Sequence, residues 1–276
     1  MRFRLSVVMD NFALRGDLRA EHGFSLLVES RDERLLVDTG KSDLTVANLK
    51  SLEVEPNSIG KVVITHGHYD HAGGLMPLLR AGAAPEVYIS PRAFDRKFAY
   101  GKVRWRSIGL DWSPGDVEAA RGHIVDADAP LEVARGVWLT GPIPEVQPFP
   151  AGKKKLFVET ESGKRIPDPF EDERAVVLDA PDGLVLISGC GHRGILNALL
   201  AARELLTTRP VAAVLGGTHM ASAEADEVRA LASALRDQDV PLVGPAHCTG
   251  LDAWAVLKGV LGDSATWLGA GTRLEF

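Results

Sequence analysis

The sequence predicts an α+β chain in which two β-sheets pack together and helices cover the outside. Two observations point there. Short apolar runs of strand length recur through both halves of the chain, and in each half segments of helical spacing follow them. At 276 residues, 45% hydrophobic and 25% charged, the chain can bury a full core without disulfide staples, and its composition excludes disorder, collagen and coiled coil.

The elements follow in order. Phe3, Leu5 and Val7 alternate with Arg4 and Ser6, the period of a half-buried strand. Apolar runs at 24–28 and 34–37 flank the charged turn Ser30-Arg31-Asp32-Glu33 and read as a hairpin. Leu44, Ala47 and Leu52 give 43–52 helical spacing, with Asp43 as the expected N-cap. A short buried strand at 62–64 leads into a histidine cluster, followed by a short helix at 75–79 and a strand at 87–89. Residues from about 94 to 135, with Trp105, Trp112 and Pro114-Gly115, read as an insertion or lid on a single domain spanning 1–276. Packing of the two tryptophans onto the sandwich is favoured slightly over an aromatic wall at a site. Residues 137–140 form a strand, and the proline-rich 141–150 a loop. Pro181-Asp182-Gly183 turns a second hairpin between 175–178 and 184–187. Helix 194–206, strand 211–215, helix 224–235, strand 241–243 and helix 251–260 complete the second half, and short strand signals close the chain.

Charge and targeting signals narrow the function classes. The net charge is −6, from 31 basic and 37 acidic residues, which argues against binding nucleic acid through a broad basic field. The run Lys153-Lys154-Lys155 reads as a solvated loop or hairpin tip. The first residues lack the apolar core of a signal peptide, and no segment is apolar enough for a membrane span, so the cytoplasm is the expected compartment. Two cysteines make no disulfide framework, and a Cys190–Cys248 bridge is not expected there.

The eight histidines are unevenly placed. Three fall in Thr65-His66-Gly67-His68-Tyr69-Asp70-His71, directly after a strand. Neutral imidazoles and a carboxylate are the donors that borderline divalent metals accept. His66 and His68, two residues apart, can face one ion. A turn after Tyr69 lets Asp70 and His71 face a second, and Gly67, Gly73 and Gly74 let the backbone bend close to the ions.

His-x-His-x-Asp-His after a short strand resembles the signature of the metallo-β-lactamase superfamily, an αββα sandwich with one or two metals at its edge. Asp38-Thr39-Gly40, Ser188-Gly189-Cys190-Gly191-His192 and Pro245-Ala246-His247-Cys248-Thr249-Gly250 resemble its further motifs. Cys190 stands where most of the superfamily has a bridging aspartate, and the usual histidine is missing after 137–141, with His192 its natural substitute. Glu21-His22-Gly23-Phe24-Ser25, Gly216-Gly217-Thr218-His219 and the motifs around Cys190 and His247 resemble a subfamily labelled dihydropterin ribofuranosylaminobenzene phosphate synthase.

The resemblance implies two divalent ions, zinc first with manganese or iron as alternatives. His66, His68 and His192 would hold one, and Asp70, His71 and His247 the other. It implies a hydrolase using a metal-bound hydroxide, with Asp70 orienting the water and His219 stabilising the oxyanion. Cys190 is open between metal contact and packing, while Cys248 is read as packing. His22 and Arg193 are candidate substrate contacts, His123 is read as surface, and Asp168, Asp172 and Glu173 stay open between salt-bridge and site roles. The expected partner is a small molecule, not nucleic acid or membrane, with the oligomeric state undetermined. From the subfamily label the substrate would carry phosphate, as a phosphodiester or cyclic phosphate. A lactone or thioester hydrolase and a non-catalytic metal-bearing ligand-binding protein are the rivals. Di-iron redox chemistry is weaker, because flavodiiron proteins usually carry an acidic residue at the position of His68 and add a flavodoxin-like domain.

Overall fold

The computed structural model describes residues 1–101, 103–147 and 155–276. Lys153, Lys154 and the end of the loop at 141–150 fall outside the described residues. Two large sheets face each other. The first runs in the order Arg273–Glu275, Arg4–Met9, Ser25–Glu29, Arg34–Val37, Lys61–Val63, Glu86–Ile89, His123–Asp126. The second runs Leu242–Ala246, Val211–Gly217, Gly183–Ser188, Ala175–Ala180, Val137–Leu139, Leu131–Ala134.

Alternation along the strands explains the layers. Leu35 and Val37 of the first sheet and Val176, Leu178, Val185 and Ile187 of the second point inward and share one core. Leu36, one residue over, faces outward with Leu27 and Val62 onto Leu49, Leu75 and Leu78 of the helices Leu44–Ser51 and Leu75–Arg80. Val177, Leu184 and Leu186 face outward onto the helices Ile195–Leu205, Ala225–Asp237 and Leu251–Leu261. Strands buried on both faces read as continuous apolar runs, which is how 34–37 and 184–187 look in the sequence. Among the described residues no helix is long and apolar enough to cross a membrane.

The parallel neighbours position the site. Arg34–Val37, Lys61–Val63 and Glu86–Ile89 are parallel in the first sheet, and Gly183–Ser188, Val211–Gly217 and Leu242–Ala246 in the second. Loops leaving the carboxyl ends of these strands carry His66, His68, His71, His192, His219 and His247, the usual location of ligand sites in parallel sheets.

Asp43 stands at the N-cap, and two local details add to the sequence reading. Asp43 makes no side-chain cap, and Ser42 Oγ instead accepts the Leu44 N–H at 3.2 Å. Gly67 serves close backbone packing: a Cβ there would lie 2.0 Å from the Ala93 carbonyl oxygen. The stretch 94–135 is divided among several elements. Lys97–Tyr100 and Trp105–Ser107 join Leu156–Glu159 and Arg165–Pro167 in a four-stranded sheet, while His123–Asp126 extends the first large sheet. Trp112 is buried and donates its indole N–H to Ala72 O at 3.0 Å, whereas Trp105 lies half exposed on the small sheet beside Arg165.

Candidate metal centre

Asp38 organises the floor of the site. Its Oδ1 accepts the Thr65 N–H at 2.8 Å, and its Oδ2 accepts the Thr65 hydroxyl at 2.8 Å and the His71 Nδ1–H at 2.7 Å. All three groups are fully buried. Burial opposes charge on His71, but Asp38 and Asp70 outweigh it and lift the ring to about 9. The carboxylate on Nδ1 fixes the ring's orientation, and Nε2 would serve a metal ion only after losing its proton to it.

His66 and His68 turn their rings together, with Nε2 and Nδ1 3.0 Å apart. The donor atoms of His66, His68 and His192 lie within 4.8 Å of one another. All three rings are buried, and burial pushes His66 and His192 well below the usual range and His68 to about 3. They are therefore neutral, with lone pairs facing one point. His68 presents Nδ1 to His66, and its Nε2 is buried without a hydrogen-bond partner.

A second group meets around Asp70 Oδ2. His247 Nε2 lies 3.4 Å from it, His71 Nε2 4.0 Å, and the two ring nitrogens are 3.2 Å apart. Burial raises the Asp70 carboxyl, but hydrogen bonds from His22 and His247 outweigh it and hold the group well below the carboxylate range. Cys190 lies between the groups, its Sγ 3.1 Å from His71 Nε2. It shares one set of close donors with His66 and His71, another with His192 and His219, and a third with His247 and Cys248. Burial pushes its thiol well up, so a thiolate there needs positive charge beside it. Imidazoles, carboxylate and thiol suit a borderline divalent ion such as zinc.

The remaining candidates fall at different depths. His219 is half-buried with its ring 4.2 Å from that of His192, and its N–H donates to Cys248 Sγ at 3.3 Å. His22 reaches in from the rim, with Nε2 3.1 Å from Asp70 Oδ2. Arg193 donates from its guanidinium to the Pro169 carbonyl. His123 is exposed and pairs with Glu118, away from the cluster.

One heptapeptide, from Asp168 to Arg174, fastens both ligand loops. Phe170 stacks on the His192 ring at 4.1 Å between centroids. Asp172 accepts the Gly67 N–H at 2.7 Å, and Glu173 accepts the N–H groups of His192 and Arg193 at 2.7 Å each. Lys97, itself buried, sits 3.0 Å from both Asp168 and Asp172. These roles resolve the open reading of the acidic residues. Phe170 and Lys97 carried no sequence signal of their own. Asp10 and Asn11 are likewise new: Asp10 accepts the His247 N–H at 2.6 Å, and Asn11 Oδ1 lies 2.9 Å from His247 Nδ1.

Comparisons with known proteins place the chain among relatives of one superfamily. A curated protein of Methanocaldococcus jannaschii, 7,8-dihydropterin-6-methyl-4-(beta-D-ribofuranosyl)-aminobenzene-5'-phosphate synthase, is 26% identical over 93% of this chain and 90% of its own. The crystal structure of Tm1679, a metal-dependent hydrolase of the beta-lactamase superfamily, matches at 34% identity and a TM-score of 0.83, covering 99% of each chain. A diphosphatase of the PhnP family shares the fold at a TM-score of 0.52 and 14% identity, over 100% of this chain and 98% of that one. The profile of the Metallo-beta-lactamase superfamily matches residues 18–247, the stretch that holds every histidine of the cluster. With the αββα layers and the His-x-His-x-Asp-His loop at the sheet edge, the chain belongs to the metallo-β-lactamase superfamily.

Proposed function

We propose that the protein is a metal-dependent hydrolase of a phosphate-containing small molecule, a phosphodiester or cyclic phosphate. The observation that carries the hydrolase reading is the pair of donor groups meeting on either side of Cys190. His66, His68 and His192 would hold one divalent ion, and Asp70, His71 and His247 a second, with zinc the preferred metal. Bound ions supply Lewis acidity and lower the pKa of water toward neutrality. Asp70 Oδ2, 3.4 Å from His247 Nε2 and 4.0 Å from His71 Nε2, would orient the attacking water and accept a hydrogen bond from it. His219, half-buried with its ring 4.2 Å from that of His192, would face charge developing on a substrate oxygen. The preference for phosphate rests on the name of the Methanocaldococcus jannaschii relative, a ribofuranosyl phosphate synthase.

The test combines metal analysis with a substrate panel. Protein purified without chelator should carry about two zinc ions per chain. It should turn over a phosphodiester or cyclic phosphate in preference to a lactone or thioester. Asp70→Asn should lose about 10²-fold or more in kcat. Preferred lactone or thioester turnover would replace the substrate class. Two ions without turnover on any of these would favour the ligand-binding alternative, and full activity in Asp70→Asn would remove the role given to that carboxylate.

A further inference from the structure

The motif Glu21-His22-Gly23 is built into the site more firmly than a substrate contact on a rim requires. Glu21 anchors one side: its Oε1 accepts the N–H groups of Lys41 and Ser42 at 3.0 Å each, and its Oε2 accepts the Ser42 hydroxyl at 2.7 Å. Gly23 and Phe24 anchor the other. The Phe24 N–H donates to the Asp70 carbonyl at 3.2 Å, and a Cβ on Gly23 would lie 2.7 Å from that same oxygen. The loop thus lies directly on the backbone of Asp70, which a side chain at position 23 would prevent.

Asn11 couples this loop to the second donor group. Its Oδ1 accepts the Gly23 N–H at 3.2 Å and lies 2.9 Å from His247 Nδ1, while its amide donates to the His247 carbonyl at 3.3 Å. One side chain therefore sets the distance between His22 and His247, whose ring centroids are 4.9 Å apart. At the end of this framework His22 Nε2 sits 3.1 Å from Asp70 Oδ2. The donor atoms of His22, Asp70 and His247 all fall within 4.8 Å of one another. A histidine serving only as a counter-ion for Asp70 would need the first distance and not the second.

From this convergence we infer that His22 is a ligand of the second ion, closing its coordination on the solvent side beside Asp70, His71 and His247. The inference rests on the metal-centre reading above and adds a donor to it. The imidazole is half exposed, whereas Asp70, His71 and His247 are buried. His22 is therefore the donor through which the second ion faces the mouth of the site.

The test reads the bond itself. Protein labelled with ¹⁵N-histidine and loaded with ¹¹³Cd should show cadmium–nitrogen coupling at His22 Nε2 as well as at His71 and His247. The His22 signal is identified by its loss in His22→Gln, whose amide keeps a hydrogen-bond donor for Asp70. The same variant should bind the second cadmium at least about 10-fold more weakly, with the first unaffected. Coupling at His71 and His247 but not at His22 would overturn the inference and leave the metal-centre reading standing. Coupling at no histidine would overturn both.

Discussion

Cys190 is the residue whose chemistry is most open to direct measurement. Its Sγ lies against His71 Nε2 and belongs to three of the close donor sets, so a metal ion bound in either group would have the sulfur near it. Cobalt substitution should therefore give a thiolate-to-metal charge-transfer band in the near ultraviolet. Cys190→Ser should abolish the band while Cys248→Ser retains it. Persistence of the band in Cys190→Ser would assign the sulfur contact to Cys248. At this scale the sequence was legible where spacing is local. His66, His68, Asp70 and His71 fall within six residues, and one turn of chain can aim them together. Asp10 and Asn11 were not legible, because their contact with His247 spans 236 or more positions and leaves no pattern around either residue.

At the scale of elements, the strand Lys97–Tyr100 and the segment after the small sheet decide how rigid the ligand loops are. Lys97 is buried between Asp168 and Asp172, and Asp172 in turn holds the backbone of Gly67, between the two histidines of the first donor group. Burial alone would lower the Lys97 ammonium, but the two carboxylates outweigh it and raise it. Removing the cation would leave two buried carboxylates facing each other, a change that costs about 3–5 kcal/mol when a buried pair loses one partner. Lys97→Met should accordingly lower unfolding free energy by about that amount in urea titration. It should also weaken zinc binding at the group containing His66 and His68. Wild-type stability and affinity in this variant would show that the carboxylates are satisfied without the lysine. The sequence concealed this arrangement for a physical reason. Lys97–Tyr100 is a four-residue strand, one of whose two partners, Leu156–Glu159, lies far along the chain, and the burial of Lys97 accompanies ion pairing, which apolar periodicity does not register.

Across the whole molecule, the layered sandwich brings the proposed ligands from both sheets to one edge. His66, His68, Asp70 and His71 follow the strand Lys61–Val63 of the first sheet. Cys190 and His192 follow Gly183–Ser188, and His247 follows Leu242–Ala246, both of the second. Each ion would thus tie one sheet to the other, while the core between the sheets is closed by Leu35, Val37, Leu178 and Ile187 without any ligand. Binding to the folded state alone stabilises by about 2.7 kcal/mol at a hundredfold excess over Kd, and a chain of this size shifts by about 2–4 °C per kcal/mol. Chelation should therefore lower the melting temperature by about 5–10 °C and leave the far-ultraviolet circular dichroism unchanged. His66→Ala and His247→Ala, one from each group and each sheet, should each lose metal and respond less to chelator than the wild type does. Metal content unchanged in both variants would mean that the ligands are wrongly chosen. An unchanged melting temperature on chelation, with metal shown to be lost, would mean that the sheets hold their edge together without the ions.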